Sequence, residues 1–570
     1  MLDRGAALGH GWDVIAALLL CRPPVCLSGP VMSSPSTALI QSLANHGVEV
    51  IFSLSGNQIM PLYDACIDSD IRIIHTRHEG SAVYMAEAYA QMTGKIGVAL
   101  VTAGPGLLNA VSALYSAARS ESPVLLISGD AAFSMDGRGG FQELDQVAVT
   151  APIVKYGVRP KNASSMVEAV SNCVATSLGG TPGPTHLALA FDMLSSAEQV
   201  EPALPPENTD PVGVSEDDLS EIVAALSKSE RPVVVTGPQA NRNRQQAANA
   251  ALEGALGIPL ICLESARGLS DSFYGDLGAT LKAADLIILL GKQVDYSTGV
   301  HANGRITNHV PIISVVTADQ PAPSLTHGQN PLRVIQAGHI PTVMNQLAAA
   351  LTTINTPNCA AGWLELFVEN IARRLPWQED PAAGRHPARV TESLQAAIAR
   401  TENAILVADG GEFCQWVQAG CVAPRRLING PSGAIGGGIA YAIGTSIAVP
   451  EATVFLVMGD GTAGFYFAEL NSAVRAGCNI VALIGNDFRW NAEVQIQIDT
   501  YGPDRVYGCD LDASADYAAA ANGLGLLGRT IDKTDDLDAA LAAAIAHEGP
   551  ALLNVLIDGK AAPKFMPMKL

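Results

Sequence analysis

The segment "GDGTAGFYFAELNSAVRAGCNIVALIGND" (459–487) puts an aspartate at each end of what reads as one strand–helix–strand unit, Asp460 and Asp487. In a right-handed βαβ crossover, consecutive parallel strands end on the same side of the sheet, so both carboxylates arrive at one edge. Two hard oxygen donors there suit Mg²⁺ held jointly with a ligand's phosphates. Gly459 and Gly461 would let the backbone approach such a diphosphate. Taken singly, each aspartate reads equally as a cap of the following helix or turn. Two glutamates are candidates for moving protons. Glu79 follows a predicted strand in "RHEGSAVYMAEAYAQMTGKIGVALVTAGPG" (77–106), a position the helix dipole alone would favour. Glu493, in "NDFRWNAEV", is either an acid–base group or a solvated helix residue.

The elements that must carry these residues fall into three α/β blocks, read from apolar runs alternating with helical spacing. In the first, "VEVIFSL", "IRIIHT", "IGVALVTA", "PVLLISG" and "THLALA" are predicted strands. "EPALPPENTDPVGVSEDD" (201–218) is Pro-rich and acidic, a linker composition. The second block holds "RPVVVTG", "ADLIILLG" and "VPIISVV", and the third "NAILVADGG", "TVFLVMGDG", "NIVALIGND" and "ALLNVLIDG". Buried apolar strands separated by helices predict parallel sheets with ligands at their carboxyl edge. The expected fold class is therefore α/β in three domains, each a parallel sheet flanked by helices. The expected bounds are 32–198, 215–352 and 385–560, with an N-terminal extension over 1–31 and a C-terminal tail over 561–570.

A formal charge of −21 argues against nucleic acid or an anionic membrane as a general partner. The ten cysteines form no CxxC pair, which speaks against a zinc or redox motif and for a reducing compartment, the cytoplasm. "VIAALLLCRPPVCLSG" (14–29) is too short to span a bilayer, and Asp3 beside Arg4 is atypical of a signal peptide.

Together these motifs resemble the thiamine diphosphate-dependent enzyme superfamily. The G-D-G, the Asn486-Asp487 pair and the "RHE … AE-x-YA … GPG-x₂-N" stretch carry the resemblance, which extends over about 33–560. It implies pyrimidine-binding, middle and diphosphate-binding domains in that order, with thiamine diphosphate and Mg²⁺ as cofactors. By the same resemblance Asp460, Asp487 and the carbonyl of Arg489 are metal ligands. The family usually has two successive asparagines where this chain has Asn486-Asp487. Glu79 would hydrogen-bond the aminopyrimidine ring, whose imino form removes the thiazolium C2 proton, giving the ylide that attacks a carbonyl. "GPSGAIGGGIAYAIG" (430–444) resembles the stretch that bends the cofactor, with the Gly433 carbonyl on its amino group and Ile435 as the apolar wedge. A Rossmann fingerprint competes for these glycines, but its spacing after a strand is not met.

Gln142, in "GGFQELDQVAVTAPIVKYG" (139–157), sits in a loop similar to that of the acetolactate synthase and benzaldehyde lyase branches. It would face the reacting centre, or else be a polar loop residue. The His-His pair of pyruvate-decarboxylase-type loops is absent, which counts against a simple 2-oxo acid decarboxylase. Glu493 matches decarboxylases and some bacterial 2-hydroxyacyl-CoA lyases, whereas "VQIQIDTYG" lacks the Trp expected of an acetolactate synthase. In "FSLSGNQIMPLYDA" (52–65), Asn57 or Gln58 stands where benzaldehyde lyase has a histidine. The resemblance thus implies a carbon–carbon lyase or carboligase acting on 2-hydroxyacyl-CoA or acyloin-type substrates, with acetolactate synthase second. A non-catalytic cofactor-binding subunit is disfavoured by the joint presence of Glu79, Asp460 and Glu493. The family implies a homodimer or homotetramer with shared sites. The basic tail, bearing Lys560, Lys564 and Lys569, is a candidate contact for the phosphates of CoA.

Overall fold

The computed structural model describes residues 32–206, 211–298, 306, 309–320, 330–353, 359–374, 385–533 and 536–563. The N-terminal stretch 1–31, and Lys564 and Lys569 of the tail, lie outside them.

Three all-parallel sheets organise the chain. The first contains β1 (Val50–Ser53), β2 (Arg72–His75), β3 (Gly97–Val101), β4 (Val124–Asp130), β5 (Tyr156–Val158) and β6 (Thr185–Ala190). Its strand order is β2-β1-β3-β4-β6-β5. The middle sheet contains β7 (Pro232–Thr236), β8 (Ile261–Cys262), β9 (Leu286–Leu290), β10 (Ile312–Thr317) and β11 (Leu332–Ala337), in the order β11-β10-β9-β7-β8. The third holds β12 (Ala404–Asp409), β13 (Arg425–Ile428), β14 (Thr453–Gly459), β15 (Ile480–Asn486), β16 (Leu527–Ile531) and β17 (Ala551–Leu556). Its order, β13-β12-β14-β15-β17-β16, repeats that of the first sheet strand for strand. In both, the chain reverses its direction of travel across the sheet between the first and third strands of the block. Such a switch point opens a crevice at the strands' carboxyl ends. Gln58 follows β1 and Thr102 follows β3; Asp409 closes β12 and Asp460 follows β14.

Five strands escaped the sequence reading: β5, β8, β11, β13 and β16. Each is a sheet edge. Edge strands are covered on fewer sides, so "YGV", "RRLI" and "LGRTI" carry polar or glycine positions and lack a continuous apolar run.

The first and third sheets meet through two helices, Glu79–Thr93 and Gly438–Ala448. The former is buried along nearly its whole length and has no solvent face. A Cβ at Gly444 would lie 2.4 Å from the Met85 carbonyl oxygen, so glycine is what lets the two backbones touch. One carboxylate is caught in this seam. Glu87 accepts from Tyr441 Oη at 2.9 Å and from Gln91 Nε2 at 3.1 Å, and burial pushes its carboxyl up to about 7.

Candidate active site

β14 and β15 pair in parallel with Gly459 opposite Gly485, which brings the two strand ends to one level. Asp460 opens the short helix Asp460–Ala463 and is 2% exposed. Beyond β15 the chain turns sharply. The Phe488 amide donates to Asn486 Oδ1 at 3.1 Å, and Phe488 adopts a left-handed φ of 59°. Arg489 then pairs with Asp510 in an isolated antiparallel bridge. That bridge is closed by the neighbouring groups: the Trp490 amide donates to the Cys509 carbonyl and the Leu511 amide to the Phe488 carbonyl. Arg489's own amide and carbonyl therefore point away from Asp510. Its amide faces both Asp460 and Asp487, and its guanidinium pairs with Asp510 at 3.0 Å.

Burial raises the Asp460 carboxyl to about 6, against the pull of the Gly461, Phe488 and Arg489 amides. Burial, and then the Asp460 charge, raise Asp487 to about 7. The sequence expectation that the two carboxylates share one edge thus has a geometric and electrostatic counterpart. Among the described residues no cluster of three His, Cys, Asp or Glu side chains forms a metal site. The pair supplies two hard oxygens whose mutual repulsion a divalent cation would relieve.

Around it lies a glycine cradle. A Cβ at Gly411, the first residue of the helix after β12, or at Gly459 would meet nothing within 4 Å, which leaves room for a diphosphate. Gly461 has a different reason to be glycine: a Cβ there would lie 2.8 Å from the Trp490 ring. Packing against that indole therefore requires glycine at 461 whether or not a ligand also approaches its backbone. Gly433 is exposed, ends the turn from Gly430 and has φ 70°; Ile435 is half-buried two residues on. What shapes this stretch is Asp409, which the sequence reading passed over as the end of a strand. Its Oδ2 accepts from the amides of Gly436 (2.9 Å) and Gly438 (2.6 Å), and burial pushes it up to about 7.

On the first sheet, Glu79 is the first residue of its helix and buried. Asn109 Nδ2 donates to Glu79 Oε2 at 3.0 Å. The turn before it is fixed from the third block, because the amides of Arg77 and His78 donate to Glu469 Oε1 at 2.8 and 2.9 Å. Neither Asn109 nor Glu469 was singled out in the sequence, although Asn109 closes the "GPG-x₂-N" string. Of the two candidates, Asn57 is exposed and Gln58 is 4% exposed. Gln58 Nε2 donates to Gln142 Oε1 at 2.9 Å, and Thr102 Oγ1 donates to Gln58 Oε1 at 2.6 Å. A Cβ on Gly106 would sit 2.8 Å from Thr102 Cγ2 and 3.5 Å from Glu79 Oε1, so this amide chain and the glutamate form one wall.

Glu493 stands exposed in the first turn of the helix Asn491–Tyr501 and is not joined to the other site residues. No hydrogen bond among the described residues links the Glu79 wall to the Asp460–Asp487 pair. A separate cavity of ≈ 540 Å³ lies between the first and middle sheets. It contains none of these residues, and its Lys155 and Lys292 amines are paired with Asp319 (3.2 Å) and Asp295 (2.8 Å).

Comparison with known proteins finds the thiamine pyrophosphate enzyme N-terminal TPP binding domain over residues 35–149 and the C-terminal TPP binding domain over 409–555. The chain is 31% identical to 2-hydroxyacyl-CoA lyase 2 of Danio rerio, over 91% of each protein. It is 30% identical to 2-hydroxyacyl-CoA lyase 2 of Homo sapiens, over 87% of this chain and 84% of the relative. Against the acetolactate synthase large subunit IlvG of Mycobacterium tuberculosis it is 29% identical, over 91% and 95%. The first match contains the Glu79 wall and the second contains the glycine cradle and the carboxylate pair, and with likeness along nearly the whole length the chain belongs to the thiamine diphosphate-dependent enzymes.

Proposed function

We propose that this enzyme is a carbon–carbon lyase or carboligase acting on 2-hydroxyacyl-CoA or acyloin-type substrates. The observation that carries the reading is the wall in which Glu79, held by Asn109, stands beside two neutral amides, Gln58 and Gln142. That wall offers hydrogen bonds to a hydroxyl or carbonyl oxygen without adding a second charge. The names of the 2-hydroxyacyl-CoA lyase 2 relatives support the substrate class. Thiamine diphosphate, when bound, supplies a thiazolium carbon that adds to a carbonyl and holds the electrons of the broken bond.

The chain's own residues have the following parts. Glu79, held by Asn109, would exchange a proton with the ring nitrogen of the bound cofactor. Asp460 and Asp487, with the Arg489 backbone, would hold Mg²⁺, which would offset the charge of the diphosphate. Gly411 and Gly459 leave the diphosphate room, the Gly433 carbonyl would accept from the cofactor's amino group, and Ile435 would give the rings an apolar support. Glu493 acts as a proton donor or acceptor only where a second copy covers it. Two copies completing each site are supported by the exposed apolar residues Tyr115, Phe141, Phe465, Ile496, Tyr501 and Tyr507. A reducing location such as the cytoplasm is in keeping with the eight described cysteines, all unpaired.

Acetolactate synthase is the second reading, favoured by the IlvG likeness. The test is direct. Purified protein with thiamine diphosphate and Mg²⁺ is given a 2-hydroxyacyl-CoA, an acyloin or pyruvate, and products are followed by mass spectrometry. Aldehyde with formyl-CoA, or aldehyde from the acyloin, supports the lyase; acetolactate from pyruvate alone overturns it. Light scattering that finds a fully active monomer would remove the shared site.

A further inference from the structure

Gln142 has φ 60°, a left-handed backbone that a side-chain-bearing residue adopts at a cost. The loop is held there by close packing. Gly104 passes beneath it so tightly that a Cβ would lie 3.0 Å from the Gln142 carbonyl oxygen and 3.1 Å from its Cβ. Thr102 is clamped in turn: a Cβ on Gly56 would meet its Cβ at 2.3 Å, and one on Gly106 its Cγ2 at 2.8 Å.

The reverse order of hydrogen bonds along this clamp would leave the Thr102 hydroxyl proton without an acceptor among the described residues, so the chain runs in one direction. The Thr102 hydroxyl donates to the Gln58 carbonyl oxygen, and the Gln58 NH₂ donates to the Gln142 carbonyl oxygen. An amide has one acceptor end and one donor end. With the acceptor ends of both glutamines turned inward, the Gln142 NH₂ is the end left for a ligand, and it makes no hydrogen bond among the described residues.

We propose that Thr102 and Gln58 are positioning residues that set the polarity of the Gln142 carboxamide, so that the site offers a hydrogen-bond donor to the substrate's carbonyl or hydroxyl oxygen. The consequence is a preference for oxygen-bearing, anion-developing groups over groups that must themselves donate. This rests on Gln142 facing the reacting centre, as in the proposed function. It does not depend on which acyl group is bound.

Gln58→Glu tests the polarity. An ionised carboxylate only accepts, so it draws the Gln142 NH₂ inward and turns the carbonyl oxygen outward. A protonated carboxyl can again accept from Thr102 and donate to Gln142. The expected result is a fall in kcat of about 100-fold at pH 8 that recovers about 10-fold by pH 5.5 relative to wild type. Thr102→Val should lose about 10-fold in kcat and Thr102→Ser no more than about 3-fold. Three controls exclude a folding or cofactor defect: thermal midpoint, thiamine diphosphate affinity by titration, and solvent exchange of the cofactor's C2 proton, each expected close to wild type. All variants are assayed with whichever carbonyl substrate the wild type turns over, so rejection of 2-hydroxyacyl-CoA substrates leaves the test intact. A Gln58→Glu pH profile parallel to wild type overturns the proposal, as do equal rates for the two Thr102 variants.

Discussion

Replacing Asp487 by asparagine removes one of two facing carboxylates and restores the amide usual in the family. The Asp487 carboxyl rises from the ordinary 3.8 to about 7, through burial first and the Asp460 charge second. A folded-state value above the unfolded one means the folded protein binds more protons between those limits. Stability is therefore intact below about pH 4 and lost as pH climbs toward 7. A rise of that size corresponds to on the order of 4 kcal/mol at pH 8. Asparagine cannot ionise and escapes the loss. The cofactor- and metal-free variant should thus be more stable than wild type by about 2–4 kcal/mol at pH 8, a gap closing toward pH 4. Guanidinium titrations read at 0.5-unit pH steps, comparing midpoints at a common slope, measure it. Mg²⁺ with thiamine diphosphate should shrink the gap, because a cation between the carboxylates offsets their repulsion. A gap independent of pH, or a variant less stable at pH 8, would refute the electrostatic reasoning.

Other expectations follow from individual contacts. Glu79→Gln should keep cofactor affinity while turnover falls about 10³-fold, since an amide cannot exchange the proton; steady-state kinetics beside cofactor titration checks this. Asp460→Ala should weaken thiamine diphosphate binding at least about 10-fold in the presence of Mg²⁺, read by calorimetry. Tyr441→Phe removes the hydroxyl that donates to buried Glu87 and should destabilise by about 1–2 kcal/mol. That loss should be larger at pH 8 than at pH 6, because burial holds Glu87 at about 7 and the lost hydroxyl helps its charged form. Deleting 564–570 should raise KM for acyl-CoA substrates and spare acyloins if the tail meets CoA. A cut at 560 is uninformative, since Trp416 Nε1 donates to the Lys560 carbonyl and the Ala562 amide to Glu412.

The interior strands were legible because a strand covered on both faces must be apolar throughout, and such runs stand out at "VLLISG", "TVFLVM" and "NIVALI". Asp460 and Asp487 were legible because the length of one crossover fixes where consecutive strand ends lie. Short edge strands escaped: β8 is two residues long, β13 begins with two arginines of which Arg426 is ion-paired to Glu264, and β16 places Arg529 and Thr530 toward solvent, so only pairing with a neighbour identifies them. The same limit applies to side chains whose role depends on a distant partner. Asp409 turns inward to the amides of Gly436 and Gly438, Glu469 reaches from the third block to the turn before Glu79, and Thr102 meets Gln58 across the switch point. Local spacing carries the direction of a strand and the face of a helix. It carries no information on which hydrogen bond a buried polar atom completes across the fold, and so the candidate residues for the chemistry could be named from the sequence, while the contacts that hold them appear only in the tertiary structure.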